Sequence, residues 1–528
     1  MPRHASSSRA SELELLRERR SRERGASWAG RPASVALAYP SPYRAGMSSL
    51  GFQTLYRQLN EDGLPVHRAF LPDAWEPTAL PWPQPRRPIL SYETERPLSE
   101  YRVIALSVAY ELEIAGVIRM LDGVGIPTLA ADRGPRDPII IAGGPLTFSN
   151  PSALLPFVDV VIYGEAEDLL PEALRRILDT RRRADAIASV TTLPNTTAGE
   201  RAPGSWPELP APAVADKQRL PAYSAILSPD TELADMFLVE PERGCSRRCA
   251  FCVMRRDVVG GMRLLKRERP LSLIPEEARR VGLVGAAVTD HPELEPMVAD
   301  IVNSGRGVGI SSLRADRLTP RLLEDLRRGG YRTITVASDG ISQRMRDALD
   351  RGIKEEHLLS AARLIRAQRF PRMKIYEMMG APGETEEDVD ELIRFALELA
   401  KIQRIVLTFS TFVAKRNTPL DGQPFVGVKQ AERRLKKIRA GLKGKVEIRP
   451  QSPRWAHVEY LLAQRGPEAG HAALRAVRAG GRYADWVRAF AETPVTPRAL
   501  RFGDEAARAR RKGKAARPRR WLPVVPAT

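Results

Sequence analysis

Short, wholly apolar runs separated by amphipathic stretches dominate the first third of the chain. Residues 35–39, 103–108, 138–142 and 158–163 read as strands, with a helix ending near residue 60 and another over 112–124 between them. Strands that are apolar on both faces and alternate with helices predict a doubly wound parallel sheet. Ligands should then sit beyond the carboxyl ends of its strands. Residues 181–232, rich in Pro, Ala, Gly and Thr over 191–212, read as a linker. The alternation then resumes, with strands expected at 237–240, 281–288, 307–313, 333–337, 374–379 and 405–413 and helices at 320–328, 341–351 and 384–400. Six such units predict a partial (β/α)6 barrel with its chemistry at the strand C-terminal ends. A Lys/Arg-rich helix at 430–442, a short strand at 445–449 and helices at 455–462 and 472–491 make a small α-rich cap over the barrel mouth. Its Trp455, His457, Trp486 and Phe490 read as packing. The fold class is therefore α/β, with domains at 31–180, 233–419 and 420–505. A charged N-terminal appendage (1–30), the linker and a basic tail (506–528) complete the chain.

Candidate chemistry concentrates in one loop. The 528 residues contain three cysteines, and all lie in Glu242-Arg-Gly-Cys245-Ser-Arg-Arg-Cys249-Ala-Phe-Cys252. An odd number in a long chain argues against a disulfide framework. The six histidines offer no paired spacing to complete a zinc tetrahedron. Three thiolates at C-x3-C-x2-C spacing suit a four-iron cluster that leaves one iron open to an outside ligand.

That loop, with Phe251 before its last cysteine and Glu-Arg-Gly before its first, resembles the cluster loop of the radical S-adenosylmethionine superfamily. The resemblance implies a 4Fe-4S cluster on Cys245, Cys249 and Cys252, and S-adenosyl-L-methionine chelated to the open iron. Reductive cleavage would then give a 5′-deoxyadenosyl radical. It also implies cofactor contacts at the strand ends of the barrel. The second strand ends in Thr289-Asp290-His291-Pro292-Glu293, where the superfamily often has Gly-Gly-Glu to hold the methionine ammonium, so Asp290 or Glu293 would have to serve. His291 is as readily a capping histidine as a functional one. Ser311 and Arg314 suit a ribose and a carboxylate, and Ser338 and Asp339 end the fourth strand. Glu377 and Gly380 lie in Tyr376-Glu-Met-Met-Gly-Ala-Pro-Gly-Glu-Thr385, which resembles the family's fifth strand end beside the adenine.

The first domain resembles the cobalamin-binding domain that precedes the barrel in one large class of this superfamily. The segments that carry the likeness hold Tyr39, Gly46, Met47 and Gly51, then Gly143-Gly144-Pro145, then Gly164-Glu165; Ser107 closes a strand beside them. The Asp-x-His-x-x-Gly motif that gives cobalt a histidine in many cobalamin proteins does not occur. The class implies cobalamin-dependent methylation of an unactivated carbon on a small-molecule or natural-product-like substrate, with flavodoxin or ferredoxin as electron donor. Its rivals are a cobalamin-linked rearrangement or cyclisation, a methylthiotransferase acting on tRNA or protein, and an iron-sulfur regulatory protein. The methylthiotransferases need further cysteines in the N-terminal domain, and none remains.

Charge changes this picture little. Lys and Arg number 83 against 64 acids, a net charge of +19, with a dense basic run at 507–520. Few aromatics interleave it, so a solvated tail is preferred to a nucleic-acid site. No apolar run approaches the ~18 residues of a membrane span, and the N-terminus lacks an apolar signal core, so a cytoplasmic enzyme is expected.

Overall fold

The computed structural model describes residues 4–73, 88–199 and 208–496, with side chains from Glu12 onward. Two compact units emerge, one formed by residues up to Phe237 together with Leu461 to the end of the described chain, the other by Leu238–Tyr460.

The first unit is built on six strands: β1 (Val35–Pro42), β2 (Val66–Leu71), β3 (Val103–Ser107), β4 (Ile139–Gly143), β5 (Val160–Ile162) and β6 (Thr196–Ala198). Their order is β2-β1-β3-β4-β5-β6, parallel except for β6. Every residue of β1, β2 and β3 is buried, as expected for a sheet covered on both faces. The winding reverses between β1 and β3, which puts the topological switch point at their C-terminal ends. Helix Leu50–Glu61 follows β1, and the Ser49 hydroxyl caps it by accepting the Phe52 N–H at 3.4 Å.

Three sequence boundaries move. Helix Arg183–Thr191 and the antiparallel edge strand β6 belong to this unit, although both fall in the expected linker. Residues 4–22 form one helix tied into the unit, not an appendage. Leu16 is buried, and Arg17, Arg19 and Arg22 pair with Glu95, Asp73 and Asp230 at 2.6–2.7 Å. Just beyond the helix, Glu23 and Glu93 clamp a fully buried Arg68, each at 2.7 Å, and the guanidinium lies 4.8 Å over the Tyr56 ring. Third, the residues from Leu461 cluster with this unit and not with 420–460, so the expected cap is divided. Helices Glu468–Arg478 and Tyr483–Ala491 pack there, with Trp486 buried and stacked on Phe490. The 506–528 tail lies outside the described residues.

The second unit carries β7 (Met236–Val239, which crosses the boundary), β8 (Arg280–Leu283), β9 (Gly307–Ile310), β10 (Thr333–Ala337), β11 (Arg372–Met379), β12 (Ile405–Thr411) and β13 (Glu447–Pro450). They form two sheets, β9-β8-β7 and β10-β11-β12-β13, whose edges meet through a parallel bridge between Leu313 and Val336. Six βα strands in sequential order make the open barrel, and β13 adds a seventh parallel strand. Strands β8 and β9 stop five and three residues earlier than the apolar pattern suggests. Gly285-Ala286-Ala287, and not Thr289, therefore follows the β8 end most closely.

Candidate active site

A short antiparallel ladder, Glu242–Gly244 with Met262–Leu264, closes the cysteine loop at its base. Inside it the Arg256 N–H donates to the Arg247 carbonyl at 2.8 Å and the Ala250 N–H to the Leu349 carbonyl at 2.9 Å. Phe251 packs on Met345, Leu349, Ala381, Phe412 and Ala414, which anchors the loop on apolar contacts. Cys249 is buried; Cys245 and Cys252 are half-buried, and no disulfide joins them. Burial raises all three thiols, Cys252 to about 11, and each of the other two sulfurs pushes Cys252 further up. Mutual repulsion of this kind means that the three sulfurs share one neighbourhood. Cationic metal offsets it, because bound thiols deprotonate outright.

Among the described residues no three His, Cys, Asp or Glu side chains converge on a single ion. A cubane does not require that, since each thiolate binds a different iron. The three soft donors, on one loop around a partly open face, fit such a cluster.

Around the loop, Asp290 accepts two hydrogen bonds from Arg247, at 2.8 and 2.7 Å, and faces Arg314 and Arg317 at 3.8 Å. Burial pushes its carboxyl up, but these guanidinium groups win and hold it below the usual range. Glu293 accepts the Arg267 N–H at 3.2 Å. His291 accepts the Glu293 N–H and bonds the Leu265 carbonyl through its other nitrogen, which makes it a capping histidine. Arg314 spends two nitrogens on Asp316 and keeps Nη1 buried without a hydrogen-bond partner, a ready donor for a carboxylate. Ser311 is exposed.

Asp339 sits in the left-handed region at φ 59° and pairs with Arg351 at 2.7 Å; both perturb Cys249. Ser338 is buried and donates to the Gly340 carbonyl. Glu377 lies on the buried side of β11, where burial raises it to about 8 and Arg346 works against that rise. Gly380 has φ 79° and donates its N–H to Glu384 at 2.8 Å. Glu384 in turn pairs with Arg434 at 2.6 Å, so this turn is locked by protein groups.

In the first unit, Ser107, Gly143 and Gly144 line a small apolar cavity of about 30 Å³ at the C-terminal ends of β3 and β4. The glycines there serve the protein's own packing. A Cβ on Gly144 would meet the Val108 backbone at 2.7 Å, one on Gly164 the Ala213 nitrogen at 2.3 Å, one on Gly143 the Ile162 carbonyl at 3.3 Å, and one on Gly46 the Phe70 ring at 2.5 Å. Gly51 alone of the set faces open space. Pro145 opens a short 3-10 turn, Met47 is buried with its sulfur 3.5 Å from Arg68, and Glu165 accepts the Ala215 N–H. Tyr39 is buried against Phe52 and bonds Glu113, whose carboxyl also takes the Ser41 hydroxyl and the Ala109 N–H. Burial lifts Glu113 to about 7. Its role was not legible in the sequence, because the partners come from β1 and from the loop after β3.

Sequence comparisons match two stretches of the chain. The profile described as "Radical SAM proteins, N-terminal" matches residues 51–196, and that of the radical SAM superfamily matches residues 239–396. The chain belongs to the radical S-adenosylmethionine superfamily, and with it come the 4Fe-4S cluster and S-adenosylmethionine as cofactors. An uncharacterized protein of Methanocaldococcus jannaschii, MJ0966, is 25% identical over 421 residues, covering 76% of this chain and 84% of that one. Among solved structures, the cobalamin-dependent S-adenosylmethionine radical enzyme OxsB, with aqua-cobalamin and S-adenosylmethionine bound, aligns at 15% identity and a TM-score of 0.46. The match covers 70% of this chain and 52% of OxsB, so the chain spans about half of that enzyme's length. Methylornithine synthase (PylB) aligns at 15% identity and a TM-score of 0.30, covering 43% and 68%.

Proposed function

We propose that this radical S-adenosylmethionine enzyme uses cobalamin to methylate an unactivated carbon of a small, natural-product-like substrate. The observation that carries the reading is the first unit. A doubly wound sheet precedes the barrel in the chain, its switch point lies at the C-terminal ends of β1 and β3, and the Gly-Gly-Pro and Gly-Glu-Ala-Glu segments end the neighbouring strands β4 and β5. A cobalamin held there supplies methyl-transfer chemistry, and the reduced cluster with S-adenosylmethionine supplies the radical.

This chain's own residues do the holding. Cys245, Cys249 and Cys252 bind the cluster, and the free Arg314 Nη1 takes a carboxylate. Phe251 and its apolar neighbours exclude water from the loop's inner side. All three cysteines are committed to one loop, which leaves none for the second cluster of a methylthiotransferase. Protein purified anaerobically from cobalamin-fed cells is expected to show corrinoid absorption in proportion to protein. A fully loaded cluster without corrinoid bands would remove the methylation reading. Rearrangement or cyclisation is separated by stoichiometry, since methylation consumes two S-adenosylmethionine molecules per product.

The electron donor we propose is an acidic carrier of the flavodoxin or ferredoxin type. Residues 243–269, which hold the three cysteines, carry nine Arg and Lys against two acids, and Arg256, Lys266 and Arg269 are exposed there. The charge-reversed pair Arg256→Glu/Arg269→Glu should slow carrier-driven S-adenosylmethionine cleavage by about tenfold at low salt. Dithionite-driven cleavage should stay unchanged; equal rates with the carrier would remove this docking face. No described helix is long and apolar enough to cross a membrane, and we place the enzyme in the cytoplasm.

A further inference from the structure

Glu242, three residues before Cys245, is completely buried, yet its Oε2 has no hydrogen-bond partner. Its other oxygen, Oε1, accepts the Ala287 N–H at 2.8 Å. That bond sets the carboxyl against the turn after β8, and the fit is close. A Cβ on Gly285 would stand 2.2 Å from Oε1, so glycine there is a condition of the contact. Burial raises the carboxyl to about 7, with Glu240 and Asp290 adding to the rise. The same group perturbs Cys245.

A buried acceptor left without a donor costs stability, about 1–3 kcal/mol or more when charged, so in a native protein it calls for a partner such as a ligand, an ion or a water, or for a catalytic role. The acids beside the turn after β8 and the loop's arginines are already engaged, while Glu377 on β11 also keeps an unpartnered Oε2. Asp290 is held by Arg247, Asp316 by Arg314, Glu240 by Arg243 through two bonds, and Glu293 by the Arg267 N–H. This chain also lacks the Gly-Gly-Glu run after its second barrel strand, so the acid expected there is absent from its usual place.

We infer that Glu242 supplies that acid from the ladder at the base of the cysteine loop: its Oε2 accepts the ammonium of the methionine end of S-adenosylmethionine. Asp290, the sequence candidate, is instead a positioning residue that orients Arg247 and Arg314. The ammonium is a three-donor cation, and a carboxylate fixed by one backbone bond offers it a charge-assisted partner with little reorganisation. The assignment rests on the chain's membership of the superfamily and not on cobalamin.

The test uses reconstituted full-length protein without reductant and measures binding of S-adenosylmethionine and of an analogue with hydrogen in place of the amine. Glu242→Gln keeps an oxygen for Ala287 and turns the free position into an N–H donor. It should weaken S-adenosylmethionine binding by at least about tenfold while leaving the analogue within about twofold of wild type. Unchanged affinity for S-adenosylmethionine, or an equal loss for both ligands, would overturn the assignment. So would failure of the variant to take up iron, since that would make Glu242 part of the loop's architecture. Asp290→Asn should retain the preference for the amine, and losing it would return the role to Asp290. Wild-type protein that binds neither ligand while holding its cluster would sink the superfamily reading itself, a result distinct from these.

Discussion

Cys249→Ala is expected to reduce 5′-deoxyadenosine formation to the level of a protein-free blank. Cys249 is the buried member of the trio, between the half-buried Cys245 and Cys252, and Arg351 bonds its sulfur. Removing it leaves two thiolates for a cluster that needs three, and no other thiol exists in the chain to substitute. The change should be confined to the cluster, because alanine fits wherever a small buried thiol did. Iron content and visible absorbance after anaerobic reconstitution should fall together, while far-ultraviolet circular dichroism stays that of wild type. Turnover above the blank in a variant that still binds iron would contradict the three-ligand assignment.

The second large effect concerns stability. Arg68→Met is expected to destabilise the first unit by about 3–5 kcal/mol, the cost of breaking a buried ion pair from one side. Arg68 lies on β2 with no exposed surface to speak of, and it holds Glu23 from the end of the N-terminal helix and Glu93 from the segment before β3. Without it, both carboxylates and the Tyr43 and Tyr56 hydroxyls that donate to them lose their shared cation. Two units need not melt together, so the readout is the earlier transition in urea, followed by limited proteolysis near the N-terminal helix. Adding Glu93→Gln to Arg68→Met should recover part of the loss. A midpoint equal to wild type would show that the network contributes no net stability.

Much of the fold was legible because parallel strands are buried on both faces and leave apolar runs that need no tertiary knowledge to see. The strands β1, β3, β4 and β5 and the six barrel strands follow from those runs, though β8 and β9 stop short of them. Apolar residues continue past the last ladder bond there, and pattern alone does not separate a strand from the turn that packs beneath it. The 4–22 helix and helix Glu468–Arg478 were misplaced for a different reason. The first is polar enough to read as a surface appendage and the second reads as part of the cap, and only long-range partners such as Glu95 for Arg17 and Asp122 for Arg478 show where they dock.

By itself the sequence determined the cluster chemistry, because the donors are contiguous and no other cysteine competes. It likewise determined the two α/β architectures. Tertiary structure decided how the acids near the cluster are used. Asp290 and Glu293 look available in a linear reading, but arginines and backbone donors from other segments claim them. Glu242, which in the sequence is no more than the flank of the cysteine loop, is left with one free oxygen. The glycines of the first unit show the same division, since contacts with Val108, Ala213 and Phe70 explain their missing side chains. Which buried polar atom is satisfied depends on groups tens of residues away, and only the folded chain brings those together.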